Sequence, residues 1–211
     1  MKTVFGLILS ITIIYCFNIL NNLGLFKQFN QVNFILLGIF YMWFCIFILY
    51  IYSNLIEKKK LLLIKESKKK ILFYIFGGVT IFAFAVILHI SLKYTLEGLK
   101  LVDKIKPTKI GTLDWNKNKI LFYALIITVA FYEEILFRGF IQTRLKIFFS
   151  SKYYSILLSA IIFSLSHIFQ FNLLQLIGTF LTGLLFSYLY EKYKSITLLI
   201  IGHFLIDGVS I

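Results

Sequence analysis

The chain has 211 residues, of which 60% are hydrophobic; it holds 24 Phe and one Pro, and its mean hydropathy is +0.89. A soluble domain must present a mostly polar surface, so this composition excludes one and points to helices that satisfy their own backbone inside lipid. The formal charge is +13, but the basic residues fall between apolar runs, as in loops beside anionic lipid headgroups, and not on a folded face that could grip nucleic acid.

In chain order, the apolar runs predict helices at Val4–Leu20, Phe34–Tyr52, Ile71–Leu92, Ile120–Leu145, Tyr153–Phe171, Asn172–Tyr190 and Ser195–Ile211. The expected fold class is therefore all-α, a polytopic transmembrane bundle of about seven helices forming one integral membrane domain. The first run begins MKTVFG, with the charge-then-apolar order of a signal sequence. It lacks a small-residue cleavage site and reads as a retained span. Cys16 and Cys45 lie inside apolar runs and predict neither a disulfide framework nor a zinc spacing. Almost no loop separates the fifth and sixth runs, so one of those helices is expected to be short or re-entrant.

Alternate loops carry Lys58, Lys59, Lys60, Lys65, Lys68, Lys69 and Lys70, then Arg144, Lys146 and Lys152, then Lys192 and Lys194. The opposite side has Lys27 and the loop Lys93–Lys119, whose lysines are partly offset by Glu97, Asp103 and Asp114. The positive-inside bias then predicts a cytoplasmic N-terminus in a multi-pass bacterial plasma-membrane protein. Trp115, Tyr153 and Tyr154 sit where interfacial aromatics are expected, and His89 reads as a structurally satisfied histidine.

Ionisable residues inside the runs concentrate in the C-terminal half, as EEILFR, FSLSH and HFLID. A charge at the bilayer centre costs roughly 2.5–3.5 kcal/mol on insertion scales, so such groups should pair or line a wet cavity. Glu134 and Arg138 are four apart and predict an acid-first pair on one face. Glu133 is turned by about 100° from Glu134 and lacks that partner, which makes it the better candidate for chemistry. At 1.5 Å per residue, Glu133 lies about 18 Å from Leu145, His167 about 21 Å from Tyr153, and His203 and Asp207 about 12 and 18 Å from Ser195. Three runs of alternating direction thus bring their polar groups to one level. Phe163 and His167, like His203 and Asp207, are spaced to share a helix face. A carboxylate and imidazoles in a dry pocket are what water activation requires.

Read as EExxxR, FxxxH and HxxxN/D, the three stretches resemble, in order, the motifs of the CAAX-prenyl-protease and bacteriocin-processing (Abi) family of intramembrane endopeptidases. FLTGLLFSYLYEKYKSI, with Phe180 and Gly183, is similar to the family's intervening glycine-bearing helix. The likeness covers about Ile120 to Ile211 and divides the chain into a catalytic core, residues 120–211, and N-terminal helices with basic loops, residues 1–119. The resemblance implies that Glu133 activates water for attack on a peptide carbonyl and that His167 positions or polarises it. His203 and Asp207 would stabilise the oxyanion, with Glu134, Arg138 and Phe163 in support. Where relatives often carry Asn, this chain has Asp207, which must be protonated, orient His203 or bind a metal.

Two cofactor readings stand. Zinc with an open position could be held by His167, His203 and a carboxylate, Glu133 or Asp207. No HExxH pair occurs to tip the balance, and the metal-free reading, in which Glu133 and His167 share the water, is the one preferred. The implied partners are a peptide or protein substrate at the membrane and anionic lipid headgroups, with no nucleic acid. The alternatives are an idle bacteriocin-immunity or scaffold protein and, with less support, a transporter. No inverted repeat is visible, and the acids cluster at one level and do not form a relay across the bilayer.

Overall fold

A computed structural model describes residues 1–101, 113–170 and 173–210. Among these residues it contains seven helices and no strand. They are α1 (Lys2–Asn22), α2 (Gln31–Glu57), α3 (Ile71–Gly98), α4 (Lys119–Phe149), α5 (Lys152–Leu165), α6 (Leu173–Tyr193) and α7 (Ile196–Ser210). The all-α bundle predicted from the apolar runs is what forms. Five helices (α1, α2, α3, α4 and α6) are long and apolar enough to cross a membrane. α5 and α7 have 14 and 15 residues, or about 21–23 Å, which is short of a hydrocarbon core of about 30 Å.

The expected fifth helix, Tyr153–Phe171, is cut back. Its helix stops at Leu165, and a turn and a 3-10 segment at Ile168–Gln170 follow. Phe171 and Asn172 lie outside the described residues, as do Asp103 and the other residues of 102–112. The expected loop Lys93–Lys119 is also shorter at its start, because α3 continues to Gly98 and pairs Lys93 with Glu97 at 3.9 Å.

α4 is the central helix. In its apolar window 44% of residues are buried, against 17% for each of α1, α2 and α3, whose outer faces are free for lipid. One core joins Ile13 and Ile14 of α1, Cys45 and Leu49 of α2, and Tyr132, Leu136 and Phe140 of α4. A second joins Ile81 of α3, Phe186 and Tyr190 of α6, and Leu198 and Leu199 of α7. Small residues set the closest crossings. A Cβ at Gly183 would lie 3.2 Å from the Ala160 Cα, so α5 and α6 meet nearly backbone to backbone. Gly78 and Gly202 admit Ile201 and Ile81 where α3 crosses α7.

Within α4, the stretch Glu134–Gln142 winds as a π-helix. Neighbouring side chains engage its carbonyls: Ser159 Oγ donates to Phe137 O at 3.2 Å, and Thr143 Oγ1 donates to Gly139 O at 2.7 Å and Phe140 O at 2.9 Å. Such widened turns often occur at functional sites.

One end of the bundle gathers the start of α1, the segment 58–70, the α4–α5 corner and the α6–α7 corner. The Tyr52 hydroxyl donates to Lys2 O, and the Ser67 amide donates to Lys194 O at 3.0 Å. Arg144, expected among the loop cations, is instead fully buried here. It donates to Glu57 Oε2 at 2.8 and 3.2 Å and to Leu61 O at 2.7 Å, and it lies 4.0 Å over the Phe140 ring. Glu57, 87 residues away in sequence, supplies the opposite charge that makes this burial affordable.

Candidate active site

The site lies where the π-helical stretch of α4 meets α7 and the C-terminal end of α5. Glu134 and Arg138, both fully buried, pair at 3.0 Å as their spacing predicts. The remaining guanidinium nitrogens of Arg138, Nε and Nη2, have no hydrogen-bond acceptor among the described residues. Aromatic faces surround them, with the guanidinium carbon 4.5 Å from the Phe163 centroid and 5.2 Å from that of Phe186. Cation–π attraction in a desolvated setting offsets part of the missing hydrogen bonding.

His203 is the hub. Its Nδ1 lies 2.7 Å from Glu134 Oε1, across 69 residues of sequence. Its Nε2 lies 3.6 Å from Glu133 Oε2 and 3.6 Å from Asp207 Oδ2. Three carboxylates thus surround one imidazole. The side chains of Glu133 and Asp207 keep 16% and 22% exposure, while that of Glu134 has none. The two outer acids can therefore meet an incoming molecule, and Glu134 cannot.

Helix α5 supplies Phe163, and the turn after it supplies His167. The sequence predicts these two on one helical face; the structure puts His167 beyond the helix end, in a turn where Nδ1 lies 3.0 Å from Phe163 O and 3.1 Å from Ser166 Oγ. The rings still meet edge to face at 5.2 Å. The Phe163 ring also stands 6.4 Å from that of His203, and so it forms a wall common to both imidazoles.

Every residue singled out in the three motifs is therefore brought to this region. The sequence reading missed the bond from His203 to Glu134, which pairs residues from distant motifs, and the π-helical winding, which has no signature in residue type. His89 takes no part and lies against Gly178 of α6.

Among the described residues no group of three His, Cys, Asp or Glu side chains is placed to hold a metal ion.

Fold and side chains together define an all-α membrane bundle with a carboxylate–imidazole site inside it. Residues 115–209, a little under half of the chain, match the family model described as Type II CAAX prenyl endopeptidase Rce1-like. The resemblance read from the three motifs is borne out over this segment. With the long apolar helices, it also points to an integral membrane protein. No curated protein and no solved structure matches the chain.

Proposed function

We propose that the protein is an intramembrane endopeptidase that hydrolyses a peptide bond with a water molecule activated by Glu133. The observation that carries this reading is the placement of His203 Nε2 at 3.6 Å from both Glu133 and Asp207 while Nδ1 is held at 2.7 Å by Glu134. Such spacing is too long for direct hydrogen bonds and suits an oxygen shared between these groups.

Glu133 takes a proton from water as the oxygen attacks the scissile carbonyl. His203, protonated and donating through Nδ1 to Glu134, presents Nε2–H to the oxyanion that develops. The tetrahedral adduct then collapses, the C–N bond breaks, and Glu133 returns the proton to the leaving amine. Asp207 orients the imidazole edge or, protonated, donates to the same oxygen. His167 polarises the water from the Phe163 side. Buried Glu134 and Arg138 hold the hub and do not touch substrate.

The substrate is a peptide or protein segment at the membrane, extended enough to reach a site inside the bundle. Glu133→Gln is the test. It should lower cleavage of a membrane-associated peptide by at least about a hundredfold with no change in membrane insertion or unfolding temperature. Undiminished cleavage would remove the proposal and favour the scaffold reading.

A further inference from the structure

The segment 58–70 joins α2 to α3 and bonds to Tyr74 of α3, yet it is also bonded to α4 and to the start of α7, the two helices that carry Glu133, Glu134, His203 and Asp207. At its start, Arg144 of α4 donates to Leu61 O at 2.7 Å and Lys60 O at 3.2 Å. In the middle, Leu62 packs against Gly139, where an added Cβ would also meet Ile196 at 3.1 Å. Near its end, Glu66 receives the Ser195 hydroxyl on Oε1 at 2.5 Å and the Ile196 amide on Oε2 at 2.8 Å. Ser195 Oγ in turn accepts from the Leu198 amide at 3.2 Å.

The first turn of α7 is thus capped by a carboxylate from a distant segment, acting directly and through Ser195. A negative group at this position also meets the positive end of the helix dipole. Arg144, which grips the same segment, follows the π-helical stretch that carries Glu134 and Arg138.

We propose that segment 58–70 is a strap that sets the axial height of α7 against α4, and that Glu66 is a positioning residue for the site. His203 lies eight residues beyond Ser195, about 12 Å along the helix. A shift at the cap is carried along a rigid helix to the imidazole. The hub distances of 2.7 and 3.6 Å leave little room for such a shift, because reacting groups displaced by about 1 Å can lose up to about a hundredfold in rate. This proposal deepens the peptidase reading and, in its kinetic part, rests on it.

The test compares Glu66→Ala, Glu66→Gln and Ser195→Ala in the full chain in membranes. The amide of Gln can still accept from Ile196 and can donate to Ser195, whereas Ala does neither. Glu66→Ala should lower kcat about tenfold or more with KM within about twofold. Glu66→Gln should restore most of kcat, and Ser195→Ala should fall between them.

A second arm needs no activity. A Cβ at Gly208 of α7 would lie 3.9 Å from Ile126 Cδ1 of α4. The pair Ile126→Cys and Gly208→Cys, in a Cys16→Ser, Cys45→Ala background, should be bridged efficiently by a short bifunctional thiol reagent. Adding Glu66→Ala should reduce that bridging, and Glu66→Gln should restore it. Unchanged bridging with Glu66→Ala overturns the strap, as does a kcat loss that Glu66→Gln does not recover. If Glu133→Gln cleaves like the unaltered protein, the peptidase reading fails and the bridging arm alone decides the strap.

Discussion

At the scale of single residues, the site is organised by where charge can be tolerated. The i, i+4 spacing of Glu134 and Arg138 was enough to anticipate their pairing, because helix geometry alone brings such side chains together. The bond from His203 to Glu134 was not legible, since nothing local to either motif specifies a partner 69 residues away. The burial of Arg144 was misjudged for the same reason: its partner Glu57 comes from α2. Removing one member of a buried pair leaves the other charge uncompensated. His203, at 2.7 Å from Glu134, keeps part of that compensation, so Arg138→Ala should lower stability by up to about 3–5 kcal/mol, read as a drop in unfolding temperature in detergent. The double variant Arg138→Met with Glu134→Gln should recover much of that stability, since no lone buried charge remains. It should not recover cleavage, because His203 loses the carboxylate that holds Nδ1. Full recovery of both would show that Glu134 does not orient the imidazole.

At the scale of elements, all seven helices were visible as apolar runs, but the length of α5 was not. Hydropathy continues through Leu165 into Ile168 and Phe169, so the pattern has no marker for the helix end. The structure turns there because Ser166 and His167 bond back to Phe163 O, through Ser166 Oγ at 2.6 Å and His167 Nδ1 at 3.0 Å. Ending α5 early places His167 in a turn and seats Phe163 between both imidazoles and Arg138. The register of this hairpin depends on Gly183, which faces Ala160 and Phe163 at 3.2 and 3.1 Å. Gly183→Val should push α5 away from α6, cost about 1–3 kcal/mol and displace the Phe163 wall. Thermal unfolding and cleavage rate, measured on the same preparation, check this. A variant with both unaltered would mean that the two helices are not tightly seated.

At the scale of the whole molecule, the bundle is polarised. The segment 58–70, the α4–α5 corner and the α6–α7 corner all lie at the end where α1 begins. The strap's outward side shows Lys58, Lys59, Lys60, Lys65, Lys68, Lys69 and Lys70, all exposed, while Lys146 and Lys194 converge on Glu191 nearby, the latter at 2.8 Å. Positive loops are retained on the cytoplasmic side, which predicts that this end faces the cytoplasm. In intact cells, Lys69→Cys should resist a membrane-impermeant thiol reagent, whereas Lys117→Cys, at the opposite end of α4, should react. The reverse pattern would invert the orientation.

The sequence by itself determined that this chain is a bundle of apolar helices and which stretches carry its costly charges. Both follow from hydropathy and short-range spacing, which act over one or two helical turns. Only the tertiary structure decided that His203 is shared by three carboxylates, that Arg144 is an internal clasp and that segment 58–70 bridges α4 and α7. Apart from His203 and Asp207, which are four residues apart, those contacts join residues tens of positions or more apart. They form because a buried charge must find its counter-charge wherever packing brings one within reach.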